Sequence, residues 1–262
     1  MQVLDLFAGI GGFTLGLEAT GMKTVAFCES DKYCKKVLAK NWPEVPIYDD
    51  VRELTADRLL ADGIRVDVIT GGFPCVDISR AGAAWLPIDG LKAERSGLWQ
   101  QFARLIGEIR PHYAIVENVP NLLNGHGGAW MADILGGLAE IGYDAEWHCI
   151  PASSLNAQHH RDRVFILSYP HEQRLQGGGK AGDISCEGQE PRHELIARRH
   201  RVSWSEWETE PSLDRVVNGL PHRAHRVRVL GNAIVPQIAT MIGNAIWENS
   251  GWSKTNQISM TE

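Results

Sequence analysis

The chain's 262 residues suffice for one large domain, or a large one carrying a small one, and 44% hydrophobic with 22% charged residues exclude a disordered or low-complexity chain. Its net charge of −6 argues against a protein that coats nucleic acid over its whole surface, while leaving room for local basic faces. Five widely spaced cysteines (Cys28, Cys34, Cys75, Cys149, Cys186) without a C-x-x-C pair suggest neither a disulfide framework nor a zinc site and point to a reducing compartment. An N-terminus without a basic region, and no unbroken apolar run of about 18 residues, point away from secretion and from the membrane.

Up to Ser168, short apolar runs alternate with amphipathic stretches, the pattern of βαβ units around a mostly parallel, doubly wound α/β sheet. Val3 to Phe7 reads as the first strand and about Phe13 to Thr20 as the first helix, with Gly21 as the residue past its end. The turn Asp5-Leu6-Phe7-Ala8-Gly9-Ile10-Gly11-Gly12-Phe13 lets a ligand approach the backbone at a helix start, which suits a nucleotide; a tight turn with no ligand is the other reading. The dinucleotide pattern G-x-G-x-x-G is incomplete, because Thr14 holds its third glycine position. Val25 to Cys28 is the next strand, Glu29 at its end is an acid suited to ribose hydroxyls, and Asp31 caps a helix running to about Lys40.

A helix near Leu54 to Ala61 and a strand from Val66 to Thr70 lead to Gly71-Gly72-Phe73-Pro74-Cys75-Val76-Asp77-Ile78-Ser79, at the sheet edge where open α/β proteins bind ligands. A lone cysteine is commonly a small buried hydrophobe. In a Gly-Pro loop at this edge, however, it can be exposed, with its thiolate stabilised by backbone N–H groups. After a helix from Leu98 to Ile109, the strand Tyr113 to Val116 ends in Glu117-Asn118. Burial there raises a carboxyl into the range of a proton donor. A helix from Met131 to Ile141 precedes His159-His160-Arg161-Asp162-Arg163, which enters the strand Val164 to Ser168 with both arginines on one face. Adjacent histidines point to opposite faces, so no metal site is expected.

Beyond Pro170 the texture becomes irregular, with Gly177-Gly178-Gly179 and few apolar residues before Trp204 and Trp207. Two basic stretches lie in this part, Arg192 to Arg201 and Arg215 to Arg228, and each alone reads as a solvated surface loop. From Leu230 to Trp247 apolar periodicity returns, with Ile234, Ile238, Met241, Ile242 and Ile246 on one helical face. The expected division is a large domain over residues 1–168, completed by a returning helix within 230–249, and a small region over 169–229. Residues from Ser250 read as a frayed tail.

Taken in order, the glycine turn, Pro74-Cys75, Glu117-Asn118-Val119, Arg161-Asp162-Arg163 and Gly231-Asn232-Ala233-Ile234-Val235-Pro236-Gln237 resemble the DNA cytosine-5 methyltransferase family, from Leu4 to about Ala239, in its compact phage-type form. The resemblance implies the Rossmann-like sheet of class I methyltransferases with a small irregular target-recognition domain. It implies S-adenosylmethionine held by Phe7, Ala8, Gly9, Gly11, Gly12, Glu29, Asp50, Val51, Pro74, Leu98 and Asn232, with Glu29 on the ribose and Asp50-Val51 on the adenine. It also implies a catalytic set in which Cys75 is the nucleophile, Glu117 holds the base edge, Arg163 reaches the pyrimidine carbonyl, and Arg161 stands with it. Substrate contacts are expected from Pro74, Ser79, Asn118, Arg198, Arg199 and Arg201. By the same resemblance the partner is double-stranded DNA and the enzyme a cytoplasmic monomer without a metal. A restriction endonuclease would be linked to it functionally, not physically. His159 stands where the family carries glutamine. A tRNA cytosine-5 methyltransferase shares these motifs; a NAD-dependent oxidoreductase and a catalytically silent DNA-binding module are the readings from other classes.

Overall fold

Val3-Leu4-Asp5-Leu6 is buried at every position, as a central parallel strand with helices on both faces must be. The computed structural model describes residues 1–74, 97–155, 157, 159, 161–172 and 229–250. Its elements run β1 (Gln2–Leu6), α1 (Gly12–Glu18), β2 (Lys23–Cys28), α2 (Lys32–Asn41), β3 (Ile47–Tyr48), α3 (Ala56–Ala61), β4 (Val68–Gly71), α4 (Leu98–Ile109), β5 (Tyr113–Asn118), α5 (Asn121–Asn124), α6 (Ala129–Glu140), β6 (Tyr143–Pro151), β7 (Asp162–Pro170) and α7 (Pro236–Asn249). The strands form one sheet in the order β3-β2-β1-β4-β5-β7-β6, parallel except that β7 runs antiparallel to both of its neighbours. The chain steps outward from β1 to β2 and β3, then resumes on the other side with β4 and β5. That reversal opens a crevice at the carboxyl ends of β1 and β4, where open α/β sheets bind ligands.

Side-chain alternation divides the core between the two faces. Leu4, Leu6, Ile69, Ala114 and Val116 meet Phe102, Leu105 and Ile106 of α4 and Ile134 and Leu138 of α6. On the opposite face Val3, Val68, Ile115 and Phe165 meet Phe13 and Leu17 of α1 and Ile238, Ile242 and Ile246 of α7. The returning helix therefore docks on α1 and the sheet. Gly16 permits their close approach, since a Cβ there would stand 2.1 Å from the Pro236 carbonyl oxygen. By length and hydropathy Val229–Asn249 also qualifies as a membrane span, which a search for unbroken apolar runs passes over; here its apolar side chains from Ile234 to Trp247 pack in the core, while Leu230 is exposed.

The expected elements are present, with local differences that have physical reasons. The helix expected from Leu54 starts at Ala56, because the Thr55 side chain caps it by accepting from Arg58 N–H. Asp31 caps α2 as expected, accepting from the N–H groups of Tyr33 and Cys34. Gly21 follows α1 with φ of +91°. The helix expected from Leu230 is interrupted before Pro236, whose ring disfavours helical backbone at Val235, held extended at ψ 111°. The pattern misses β3, only two residues long, and β6, an edge strand whose Asp144, Glu146 and His148 alternate with less polar residues and leave no apolar run.

Candidate active site

Five chain segments end at the crevice. The turn after β1, Glu29 after β2 and Asp50-Val51 after β3 lie on one side; Gly71 to Pro74 after β4 and Glu117-Asn118 at the end of β5 lie on the other. Because β7 is antiparallel, its start, not its end, reaches the same edge. Its register puts Phe165 opposite Glu117 and Val164 opposite Asn118. Arg163, two residues before Phe165, thus falls on the face that Glu117 occupies.

At the first side, Gly9 and Gly11 adopt φ of +55° and +85°. A Cβ on Gly11 would sit 2.6 Å from the Trp42 ring, and one on Gly12 2.5 Å from the Ile234 carbonyl oxygen, so the turn passes between α2 and the returning segment only as glycine. Gly9 differs, with nothing within 4 Å of its Cβ position. Beside it the Glu29 carboxylate accepts from Gly9 N–H and Asp31 N–H, each at 2.7 Å. Burial raises the Glu29 pKa against the lowering effect of these N–H groups. Phe7 lies in the left-handed region with its ring 6.5 Å from that of Phe102, and Ala8 and Val51 are buried. Leu98, the first residue of α4, packs half-buried on the same cluster. A carboxylate acceptor beside open space, between apolar side chains, has the composition a nucleoside requires. These residues fit the adenosine part of S-adenosylmethionine. Asp50 accepts from Arg52 N–H, and Asn232 is exposed.

At the second side Glu117 is 8% exposed, and its carboxylate meets Arg163 Nε at 2.8 Å. Burial drives its pKa up, while Arg163 and Arg161 oppose the rise without cancelling it. Gly72 lies against it, because a Cβ there would stand 2.5 Å from Glu117 Oε2. Asn118, expected on the substrate, is 2% exposed; its amide donates to the Phe73 carbonyl at 3.4 Å, and its Oδ1 accepts from Val119 N–H. The loop entering Pro74, itself exposed, is thereby tied to the end of β5. Cys75, Ser79, Arg198, Arg199 and Arg201 lie outside the described residues. Arg161 stands one residue before β7 with φ of +28°, outside the extended alternation of the strand, and its partners differ from those of Arg163: it donates to the carbonyls of Gly231 and Ala233.

Two further residues shape the crevice: Asp5, which the turn motif contains without a role of its own, and Arg104, which stands in no motif. Asp5, fully buried beneath the glycine turn, accepts from Thr14 and Thr70 hydroxyls at 2.9 Å each, and burial pushes its pKa up to about 7. A lone acid in an apolar strand was the available signal. Arg104 of α4 donates to the carbonyls of Val51 and Leu54 at 2.9 Å, fixing the segment after β3. No sequence signal marks it, since its partners there are main-chain atoms. Among the described residues no group of three or more His, Cys, Asp and Glu side chains could hold a metal ion.

The sheet order is that of the class I methyltransferase fold, which its structural neighbours share. A structure of a candidate DNA modification methyltransferase encoded within an Escherichia coli prophage superposes with a TM-score of 0.56 at 25% identity, covering 66% of this chain and 48% of that one. Spodoptera frugiperda DNMT2, in a triple-mutant form, superposes at 0.54 with 20% identity over 70% and 53% of the two chains. The chain belongs to the C-5 cytosine-specific DNA methylase family, whose model matches residues 1–210. The Type II methyltransferase M2.BsuMI of Bacillus subtilis is 37% identical over 172 residues, 64% of this chain and 42% of that protein. M.DsaV of Dactylococcopsis salina is 32% identical over 169 residues, 64% and 46% of the two. The match thus spans less than half the length of either relative.

Proposed function

We propose that the chain is an S-adenosylmethionine-dependent DNA cytosine-5 methyltransferase that acts on a flipped-out cytosine through a covalent Cys75 adduct. The observation that carries this reading is the buried Glu117 beside Arg163, at the crevice edge reached by Gly71 to Pro74, the residues that precede Cys75 in the sequence. Membership of the family supports the substrate class, and the names of the Type II relatives support a modification enzyme in a restriction system. Phe7, Ala8, Gly9, Gly11, Gly12, Glu29, Asp50, Val51 and Leu98 would hold the cofactor, which when bound supplies an electrophilic methyl group.

C5 of cytosine is not nucleophilic until a thiolate adds at C6. In this reading the Cys75 sulfur forms that bond and the ring electrons move toward N3 and C5. Glu117, whose pKa burial raises, hydrogen-bonds N3 and shares a proton with it as charge develops there. Arg163 holds Glu117 and faces the pyrimidine carbonyl. Once C5 is methylated, a base removes its proton, the electron pair returns to the C5–C6 bond, Cys75 leaves as thiolate, and the N3 proton returns to Glu117. Cys28 cannot substitute for it, because burial and nearby acids push its thiol up to about 12. Residues 169–229, with Arg198, Arg199 and Arg201, would contact phosphates and read the target. A base in a duplex must be unstacked to enter such a pocket, so contacts outside it are required.

Duplex DNA carrying 5-fluorocytosine at the target tests the reading, since fluorine cannot leave as a proton. Wild-type protein with S-adenosylmethionine should form a denaturation-resistant adduct on DNA, and Cys75→Ser should form none. Methyl transfer by Cys75→Ser, or label transfer to tRNA in preference to DNA, would overturn it.

A further inference from the structure

The returning segment before α7 is held from two directions. Its Ile234 backbone lies on the glycine turn, where a Cβ on Gly12 would meet the Ile234 carbonyl oxygen at 2.5 Å and the Ile234 nitrogen at 3.0 Å. Thr240, further along, donates to the Gly16 carbonyl at 2.9 Å. From the other side comes Arg161, one residue before β7 and with φ of +28°, whose guanidinium spans the Gly231 and Ala233 carbonyls, the latter at 2.6 Å. Two residues later Arg163 grips Glu117. A left-handed backbone at a non-glycine residue is strained, and it persists where surrounding contacts fix it. The reach from residue 161 to 231–233 is the described link between the start of β7 and the turn that faces the proposed cofactor.

We propose that Arg161 is a positioning residue: by clamping residues 231–234 onto the glycine turn it sets the affinity for S-adenosylmethionine, and it does not itself touch the base. The proposal rests on the cofactor reading above. Two charge-assisted hydrogen bonds to main-chain carbonyls cannot be replaced by any other side chain at this position. Lysine, a point donor without the planar fork, restores part of the clamp. When the clamp is lost, the segment covering Gly12 loosens, and the turn must be ordered by the ligand at the expense of affinity.

Calorimetry with S-adenosylmethionine and with S-adenosylhomocysteine, amide hydrogen exchange and single-turnover kinetics on Arg161→Ala, Arg161→Lys and Arg163→Ala separate the roles. Arg161→Ala should weaken both ligands by about tenfold and Arg161→Lys by less. Exchange should rise in 231–240 and 9–16 but not in α4, and the lost rate should be recovered at saturating cofactor. Arg163→Ala should show the reverse split, with cofactor affinity kept and the saturated rate lowered. An Arg161 variant with normal cofactor affinity and normal exchange in 231–240, or one whose rate stays low at saturation, overturns the clamp. Should Arg161→Ala not fold, Arg161→Lys carries the same readouts. If wild-type protein binds neither ligand, the cofactor reading fails; exchange in the free proteins still decides whether Arg161 holds residues 231–240.

Discussion

The two sides of the crevice each bury one carboxyl, and they stabilise it by different means. Glu29 is held by main-chain N–H groups, of Asp31 two residues on and of Gly9 in the turn after the neighbouring strand, both fixed in direction. Glu117 is held by the guanidinium of Arg163, which arrives on an antiparallel strand from far along the chain. Burial raises both pKa values. Fixed dipoles suit a ligand whose charge does not change there, such as a ribose. A carboxyl whose pKa burial raises, faced by a cation, suits a base on which charge appears during reaction. One crevice thus offers a static end and a reactive end.

Removing the proton from the reactive end should produce the largest effect. Glu117→Gln keeps the shape and a hydrogen bond but has no acidic proton, so the single-turnover methylation rate should fall by about two orders of magnitude or more. Cofactor affinity, measured by calorimetry, should stay put, because Glu117 lies across the crevice from Glu29. A variant that reacts at a near-normal rate would end the distinction between the two sides. A variant that loses cofactor affinity would show that they are not separable.

Asp5 lies beneath both ends, since Thr14 belongs to α1 and Thr70 to β4. Its folded pKa, about 7, stands above that of an unfolded aspartate. Between these values the native state binds more protons than the unfolded chain. Stability is therefore highest at low pH within this window and falls as pH rises through it, by about 2 kcal/mol for this group between roughly pH 5 and 7.5. Glu29 and Glu117 add to the same slope, as their raised values have the same sign. In Asp5→Asn the amide can still bond both hydroxyls and does not ionise, so urea unfolding at the two pH values should show a flatter dependence than wild type. Equal slopes would mean that Asp5 titrates as an exposed acid does.

The same contrast explains what the amino-acid order revealed. The glycine turn, Glu29 and Glu117 were legible because each interrupts or follows an apolar run, and strand ends in an α/β sheet converge on one edge. Side-chain parity puts Arg161 and Arg163 on one face, but Arg161 stands before the strand, and parity gives a face and not a partner. Only the three-dimensional path of β7 and of the returning segment separates a carboxyl ligand from a carbonyl clamp. Arg104 was illegible because a guanidinium bonded to distant main-chain carbonyls leaves no trace in residue type. Nothing in Glu-Asn-Val says that the Asn118 amide also bonds the Phe73 carbonyl, a partner that only the folded chain brings near.

The static end yields the smallest of the expected changes, and it separates tether from ligand contact. Glu29→Ala removes the acceptor for two N–H groups and the group proposed to meet the ribose, so cofactor affinity should drop by about tenfold or somewhat more. Glu29→Gln retains one carbonyl oxygen and can still accept from one N–H, while losing the charge. If Glu29 acts only by tethering Gly9 to the start of α2, glutamine should restore much of the affinity, and adenosine and S-adenosylmethionine should weaken alike in each variant. If the carboxylate accepts from ribose hydroxyls, glutamine should stay close to alanine, and a 2′,3′-dideoxy analogue should bind wild type and both variants with similar affinity, because the contact it lacks is the one the variants have lost. Calorimetry with the dideoxy analogue decides: an analogue that still discriminates wild type from Glu29→Gln removes Glu29 from the ribose and leaves it as a strut between the turn and α2.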